Sequence, residues 1–557
     1  MSNSKSSRQN NFLIQGGILA IAGIVVRIIG MIYRIPLTHI IGDRGNSLYD
    51  SAYSVYSIIL IISSYSLPVA ISKMLAAKNS KKEYVNSERI FKCSLIYAVV
   101  VGLIAAVFCY VAAPILVKSE AAVPVLRVLA PVIFFSAILG TFRGLFQGQG
   151  TMIPTSISQI FEQIFNAIVS VLAAYLLVRP YMTEDPEDVL PSRGAMGSTL
   201  GTGAGVVAGL AFVVLIYFMY RPSMKKKVRC GRKAPIDSYS DIFKMIVLTV
   251  TPMVLSAALY NVSPFIDNYM IYAVMEKLGY QQVDIQSMHG IYTGKYLLLV
   301  NIPVAMANAL SSAMLPNIAA AKSQGDYSGI QRKASLAIKV TMLIAIPCTF
   351  GMAVLGGPAI QLIFGTSTRY PELAGDLMLY GSSFVFFFAL STITNAILQA
   401  TDYLRLPVIH SAIALVIHTI LAFVLMYVFD MKVWGLMIAT VVFAVVLCAM
   451  NLISMYRRLD FRLEVKKIFM LPGIASVFMA LICWAVYYII HHFLNSNAIA
   501  FLVAFALGIL TYFVALFLFN GITEEELLSM PKGHTIVKIA KKLHLLHDMD
   551  INRNEDN

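Results

Sequence analysis

Apolar residues fill this chain in long runs separated by short polar stretches. Runs of about twenty residues match the hydrocarbon thickness of a bilayer at ~1.5 Å per helical residue. About fourteen can be counted, at roughly 11–38, 48–72, 90–117, 122–146, 152–178, 195–220, 242–275, 289–319, 333–363, 373–399, 404–429, 431–456, 468–490 and 498–520. The pattern predicts an all-α polytopic membrane protein.

Charge in the loops orients these spans. Lys73, Lys78, Lys81, Lys82, Arg89 and Lys92 follow the second span. Arg221, Lys225, Lys226, Lys227, Arg229, Arg232 and Lys233 follow the sixth, and Arg457, Arg458, Arg462, Lys466 and Lys467 the twelfth. The loop after the fifth carries Glu184, Asp185, Glu187 and Asp188 instead. By the positive-inside rule both termini of this multi-pass chain are expected to be cytoplasmic.

Composition agrees: 58% hydrophobic, 13% charged, mean hydropathy +0.75. The net charge of +14 is then mostly topological, and no nucleic-acid partner is implied. The first run is too long for a cleavable signal and lacks a small-residue cleavage site. The six cysteines form no CxxC or metal-type pair and read as small core residues. After the last span, Thr523-Glu524-Glu525-Glu526 resembles a helix start. Ile536, Ile539, Ala540, Leu543 and Leu546 then face away from Lys538, Lys541 and Lys542, as in a helix on an anionic leaflet or a partly helical solvated tail.

Within the first span, Arg27 and Arg34 stand seven residues apart, hence on one helix face and roughly 10 Å apart along the axis. A guanidinium in hydrocarbon costs several kcal/mol even on lenient scales, so it faces a cavity or a partner. Gly16, Gly23 and Gly30 repeat at the same spacing and leave a shallow groove beside the positive stripe. Such a surface suits an anion, phosphate above all.

A weak duplication runs through the chain with a period near 250 residues. Phe134-Phe135-Ser136-Ala137-Ile138-Leu139 through Gln147 parallels Phe386-Phe387-Phe388-Ala389-Leu390-Ser391 through Gln399, each followed by a proline, Pro154 or Pro407. Ala76-Ala77-Lys78 with Tyr84 parallels Ala320-Ala321-Lys322 with Tyr327. The implied division is a cytoplasmic tail (1–10), a first six-span lobe with its basic loop (11–240), a second lobe (241–466), two further spans (467–520) and an amphipathic tail (521–557). Transporters built from such repeats bind substrate between lobes and alternate access by rocking.

Other polar side chains lie where lipid should exclude them. Asp50 opens the second span, near Tyr49, Tyr53, Ser54, Tyr56, Ser57 and Ser64, and either caps the helix, pairs with Arg44 or lines a cavity. Lys295, in the eighth span with Asn301, Asn308 and Ser312, either lines a cavity or snorkels to the interface. In the seventh span Ser256, Tyr260, Ser263 and Asp267 recur at helical spacing between Pro252 and Pro264. Asp267 is a candidate sodium or proton site, with Asn395 as a helper, or else a partner of Lys295. Arg143 and Glu162 read as a structural or gating salt bridge beside Gln159, Gln163 and Asn166. His410 and His418 read as core histidines. No P-loop, HExxH, nucleophile elbow or dinucleotide turn is present, so the chain reads as a transporter without catalytic residues or cofactor, and no firm metal site.

Arg143-Gly144-Leu145-Phe146-Gln147-Gly148, then Pro154-Thr155-Ser156-Ile157-Ser158-Gln159 with Glu162-Gln163, resembles the polysaccharide-biosynthesis and stage V sporulation protein B branch of the MOP flippase superfamily. The nearest functional group within it is the MurJ-type lipid II flippases. Val26-Arg27-Ile28-Ile29-Gly30 with Arg34, Asp50, and Lys295 between Tyr292 and Tyr296, followed by Pro303 and Leu315-Pro316, are similar to the same group. The resemblance implies two six-helix lobes in an inverted V around a cationic cavity, plus a groove from the last two helices for a polyprenyl tail. It implies that Arg27, Arg34 and Lys295 are cavity cations and Asp50 an acidic rim residue. This chain departs from relatives at Ser63-Ser64-Tyr65, where they carry a further arginine.

The expected function is flipping of undecaprenyl-diphosphate-linked lipid II to the outer leaflet, driven by membrane potential or an ion gradient. Alternatives are another polyprenyl-linked saccharide, such as a teichoic or capsular precursor, or a multidrug or cation antiporter of the same superfamily. Expected partners are the lipid-linked substrate and membrane lipids, with the chain acting as a monomer, alone or beside the cell-wall synthesis machinery. An outer-loop glycosyltransferase would need more chain than 179–194 supplies.

Overall fold

The computed structural model describes residues 2–65, 67–181, 189–230, 235–366, 368–519 and 521. The acidic loop, Arg232, Lys233 and the tail with its expected amphipathic helix lie outside the described residues, as do the side chains of Pro252, Ser256, Tyr260, Ser312, Leu315 and Pro316. Among the described residues all regular structure is helical, and eleven helices are long and apolar enough to cross a membrane. Helices satisfy every backbone group within one segment, as hydrocarbon demands.

The count of fourteen is not confirmed: in places two expected spans are joined or one is broken. The first two expected spans merge into α1 (Ser2–Leu60), which is interrupted at Gly42, where φ is +67° and ψ −177°. The seventh is split into α7 (Tyr239–Asn261) and α8 (Ser263–Lys277) ahead of Pro264, as a proline lacking its N–H requires. The eighth consists of α9 (Gln282–Ile291), a π-helical turn at Tyr292–Tyr296 and α10 (Leu297–Ser323). A second π turn, Ile61–Tyr65, joins α1 to α2 (Leu67–Ser80).

The chain divides into two compact units. The first holds 2–298, 368–373 and 408–439. Here α1 and α2 pack with α3 (Tyr84–Leu116), α4 (Val123–Gly148), α5 (Ile153–Val178) and α6 (Val189–Cys230). The tightest seam is α5 on α6. Gly197, Gly201 and Gly205 on α6 meet Ala174, Ser170 and the Glu162 carbonyl so closely that no Cβ fits, and Gly209 continues the stripe. Small residues every fourth position let backbones approach where lipid provides no hydrophobic drive. On α3, Leu103, Ile104, Val107, Val111 and Ile115 point outward and exposed, since lipid is their solvent.

Loops of this unit gather at two ends. At one, Lys78 pairs with Asp237 at 2.6 Å and Glu83 at 3.0 Å, while Asn86 donates to the Pro235 carbonyl at 2.9 Å. The basic loops after α2 and α6 therefore meet. At the other, Ser192 donates to the Ala121 carbonyl at 2.9 Å and Gln286 to Ser119 at 3.4 Å. That alternation is what the charge pattern demands.

The second unit holds 299–366, 374–407 and 440–521. Its centre is α11 (Tyr327–Phe364), packed by α13 (Ser383–Ala400), which follows the short α12 (Leu373–Gly381), and by α16 (Leu471–Leu494) and α17 (Asn497–Leu518). Tyr512 donates to the Leu343 carbonyl at 2.8 Å and Asn497 to that of Pro358 at 3.0 Å, tying the final pair to α11. Nearly all of α14 (Arg405–Tyr427) and the start of α15 (Lys432–Leu459) fall in the first unit, which holds 408–439.

Candidate functional site

The arginine helix sits against α5. Arg27 is exposed and Arg34 half-buried. Between them, Gln163 of α5 lies over Gly30, where a Cβ would come within 3.1 Å of its Nε2. Asn166 donates to the buried Tyr33 hydroxyl at 3.5 Å. The Arg34 guanidinium stands 4.9 Å from the centroid of Tyr49, which stacks on Tyr53 at 5.5 Å and 14°, and Tyr53 leans on Tyr56 at 5.6 Å. Among the described residues no carboxylate comes within ion-pair distance of Arg34, whose guanidinium lies over the Tyr49 ring. Arg143, by contrast, is committed: it pairs with Glu162 at 2.6 Å and donates to Ser158 at 2.9 Å.

Past Gly42, the second half of α1 enters a polar network with α8 and α9. Asn268 donates to Asp50 at 2.7 Å and accepts from Ser51 at 2.9 Å. His289 lies 4.0 Å from Asp50, with its other nitrogen 2.9 Å from Ser47, and Ser47 is 2.6 Å from the Tyr272 hydroxyl. Asp50 therefore does not pair with Arg44, whose Nε donates to Gln286 at 2.9 Å.

Lys295 is 3% exposed and pairs with Asp43 at 2.8 Å. Thr368 donates to the same carboxylate at 2.6 Å. Gly290 lies directly against the Asp43 carbonyl and Gly294 against Asn46, so α9 and its π turn approach α1 where only glycine fits. Next to this, Asp284 accepts from Arg369 at 2.7 Å and from Tyr370 at 2.8 Å. Burial, then the Asp284 carboxylate, pushes the Tyr370 hydroxyl up. Ion pairs thus tie α1, α9 and the 368–373 segment together at the end of the unit opposite the basic loops. Lys295 neither snorkels nor meets Asp267: a nearer carboxylate from the Gly42 bend has claimed it.

Asp267 pairs with His418 of α14 at 2.7 Å and accepts from Ser263 at 3.3 Å. Asn395 belongs to the second unit, where it accepts from Asn451 at 2.9 Å. Sequence reasoning placed His418 in the core and did not single out Asp43, His289 or Asn268. Their only signal is a polar residue inside an apolar run, which is legible, while the partner is not.

Comparison with known proteins gives the following. The family model described as Lipid II flippase MurJ matches residues 57–518. The chain is 27% identical over 425 residues to Lipid II flippase MurJ of Bacillus subtilis (strain 168), covering 72% of this chain and 75% of that protein. It is 23% identical over 522 residues to Stage V sporulation protein B of the same organism, covering 92% and 96%. Among solved structures, lipid II flippase MurJ in an inward closed conformation matches with TM-score 0.65 at 15% identity, covering 90% of this chain and 98% of that one. An inward-facing MATE family multidrug resistance transporter of the MOP superfamily matches with TM-score 0.63 at 14%, covering 79% and 98%.

Proposed function

The chain belongs to the lipid II flippase MurJ family, and on that premise we propose that it carries a polyprenyl-diphosphate-linked cell-wall precursor, lipid II in the first instance, to the outer leaflet of the bacterial plasma membrane. As a member of that family it is a multi-pass transporter and not an enzyme. The observation that supports the substrate class is Arg34: half-buried on a membrane helix, flanked by tyrosine rings and, among the described residues, without an ion-paired carboxylate. A diphosphate fits that need, since a guanidinium grips phosphate through parallel charge-assisted hydrogen bonds. Arg27, two turns away on the same helix, takes a second oxygen.

Lys295 acts later in the cycle. While it neutralises Asp43 the end away from the basic loops stays closed; when that end opens, the ammonium exchanges carboxylate for diphosphate. Asp50 and Asn268 line the way out, and Arg143–Glu162 keeps α4 and α5 in register. With both termini cytoplasmic, moving an anion outward is downhill by about 2.3 kcal/mol per charge per 100 mV. Membrane potential or an ion gradient then replaces ATP.

Similarity to Stage V sporulation protein B over 92% of the chain favours a second reading, in which the carried saccharide is another polyprenyl-linked precursor. An antiporter for cationic drugs would hold carboxylates where this chain holds Arg27 and Arg34. The test is complementation of cells depleted of their lipid II flippase, scored with outer-leaflet lipid II. Wild type restores both; Arg27→Ala and Arg34→Ala accumulate in the membrane yet restore neither. Normal growth of both variants refutes the diphosphate grip, and wild-type failure with export of another lipid-linked saccharide selects the second reading.

A further inference from the structure

We propose that the groove between α3 and α4 binds one anionic glycerophospholipid, its phosphate on Arg127 and an acyl chain along the groove. The groove measures about 330 Å³ and its lining is apolar: Leu103, Val107 and Tyr110 from α3, Pro131, Phe134 and Phe135 from α4. Its floor is closed. A Cβ on Gly102 would come within 2.9 Å of the Ala137 side chain and 3.4 Å of the Phe134 Cα, and Ala106 and Ala130 are buried beside it. Its rim is open, with Leu103, Val107 and Tyr110 each just over half exposed. From Leu103 to Tyr110 the trough runs ~10 Å along the helix, a length over which a straight alkyl chain lies flat.

At one end of the groove the chemistry changes. Arg127 of α4 is exposed, its guanidinium 5.3 Å from the centroid of Tyr110, and among the described residues no carboxylate comes within ion-pair distance of it. Two prolines converge on the same pair. Pro114 lies inside α3 and Pro131 inside α4, each four residues past one of the two. A proline has no N–H to offer the carbonyl four residues back, so the Tyr110 and Arg127 carbonyls both lack that bond. One guanidinium, one phenol and two such carbonyls therefore stand together at the head of an apolar trough. Tyr110 is six residues from the end of α3 and Arg127 four from the start of α4, ~6–9 Å inside the helix ends. Those ends join on the side of the unit away from the basic loops, where Ser192 reaches the Ala121 carbonyl at 2.9 Å. At that depth an arginine keeps its stem in lipid and its head among phosphates. Charge and donor count select the occupant. The uncompensated cation calls for net negative charge, which a phosphodiester with a glycerol headgroup supplies and a zwitterionic lipid does not. The carbonyls call for donors, which the headgroup hydroxyls supply. A bare polyprenyl phosphate brings the charge without the donors.

The test uses the full chain in phosphatidylcholine nanodiscs with a trace of phosphatidylglycerol carrying a photoactivatable diazirine on one acyl chain. Peptide mass spectrometry after illumination reads where that lipid sits. Label is expected within residues 103–135. Unlabelled phosphatidylglycerol should displace it at about tenfold lower mole fraction than phosphatidylethanolamine or undecaprenyl phosphate, the effect of one charge-assisted hydrogen bond. Arg127→Gln lowers the label there about tenfold, and Val107→Phe, which fills the trough, does the same, while label near the basic loops is unchanged. Equal displacement by all three lipids, or label that survives Arg127→Gln, overturns the proposal and leaves ordinary lipid contact. Stronger displacement by undecaprenyl phosphate overturns it in favour of a carrier lipid. A chain-to-chain crosslink through α3, with a dimer in light scattering, overturns it in favour of a second copy. Should neither variant accumulate, the order of displacement on the wild-type chain decides.

Discussion

Removing Lys295 and Asp43 singly and together separates what the pair does for stability from what the lysine does for substrate. Their side chains are 4% and 9% exposed, and Thr368 donates to the same carboxylate at 2.6 Å. Breaking a buried pair leaves one charge uncompensated and costs about 3–5 kcal/mol, whereas replacing both members by neutral groups is often close to neutral. Lys295→Met and Asp43→Asn should each shift the closed-to-open equilibrium by about a hundred- to several-thousand-fold at ~1.4 kcal/mol per decade. The double variant Asp43→Asn/Lys295→Met should recover most of that loss. Thermal unfolding in nanodiscs and thiol labelling of a cysteine introduced at Ser287 report the closed state, and lipid flipping in liposomes reports transport. The expected result is a double variant that is stable and closed, yet flips at least about tenfold more slowly, because the diphosphate has lost one charge-assisted hydrogen bond worth about 1.5–3 kcal/mol. A double variant transporting at the wild-type rate would refute a substrate role for Lys295. Single variants as stable as wild type would refute the lock.

Three further outcomes are expected. Arg34→Lys keeps the charge but loses the planar fork, so binding of undecaprenyl diphosphate, read by fluorescence quenching, should weaken about tenfold and Arg34→Ala should weaken it further; equal affinities would contradict bidentate recognition. Gly201→Val and Gly205→Val drive a branched side chain into Ser170 and the Glu162 carbonyl, and should abolish accumulation of folded protein on size-exclusion chromatography, whereas Gly473→Ala, which meets nothing within 4 Å, should not. Asp326 caps α11 by accepting from the Gly329 amide at 2.8 Å, and that bond, then Ser328, holds its carboxyl below the ordinary range. A depressed carboxyl stabilises above the unfolded value, near 4, and loses that contribution as pH falls through the folded value. Protection of the Gly329 amide from hydrogen exchange, corrected for intrinsic rate, should therefore decline on acidification, and Asp326→Ala should lack it at neutral pH.

Spans and loop alternation were legible because hydropathy and lysine placement act locally. The run from Phe12 to Met31 could only be a membrane helix, and Arg27 and Arg34 stood out because the surrounding residues cannot solvate them. Partners were less legible. Arg143 and Glu162 lie nineteen residues apart in neighbouring helices and were paired correctly; Lys295 and Asp43 lie 252 apart and were not. Asp43 sits beside Gly42 in what reads as a loop, so nothing local marks it as the residue that will neutralise a lysine. The Asp267–His418 pair was hidden for the same reason, each half having a plausible role alone. The glycines at 197, 201, 205 and 209 were an open signal of close helix contact through their spacing. A bend ahead of Pro264 is legible in its missing N–H; the π turns at Ile61–Tyr65, Tyr292–Tyr296 and Lys466–Met470 are not, since no residue type announces them.

The wide turn at Tyr292–Tyr296 has a mechanical consequence. It carries a surplus residue relative to α geometry, and that slack can be passed along the helix without unravelling it. Shifting the surplus past Lys295 would rotate the ammonium by ~100° about the helix axis, swinging it off its aspartate while the ends of the segment stay in place. Switching a buried cation between two anions then needs a ripple through one turn, and no helix has to be pulled out of the bundle.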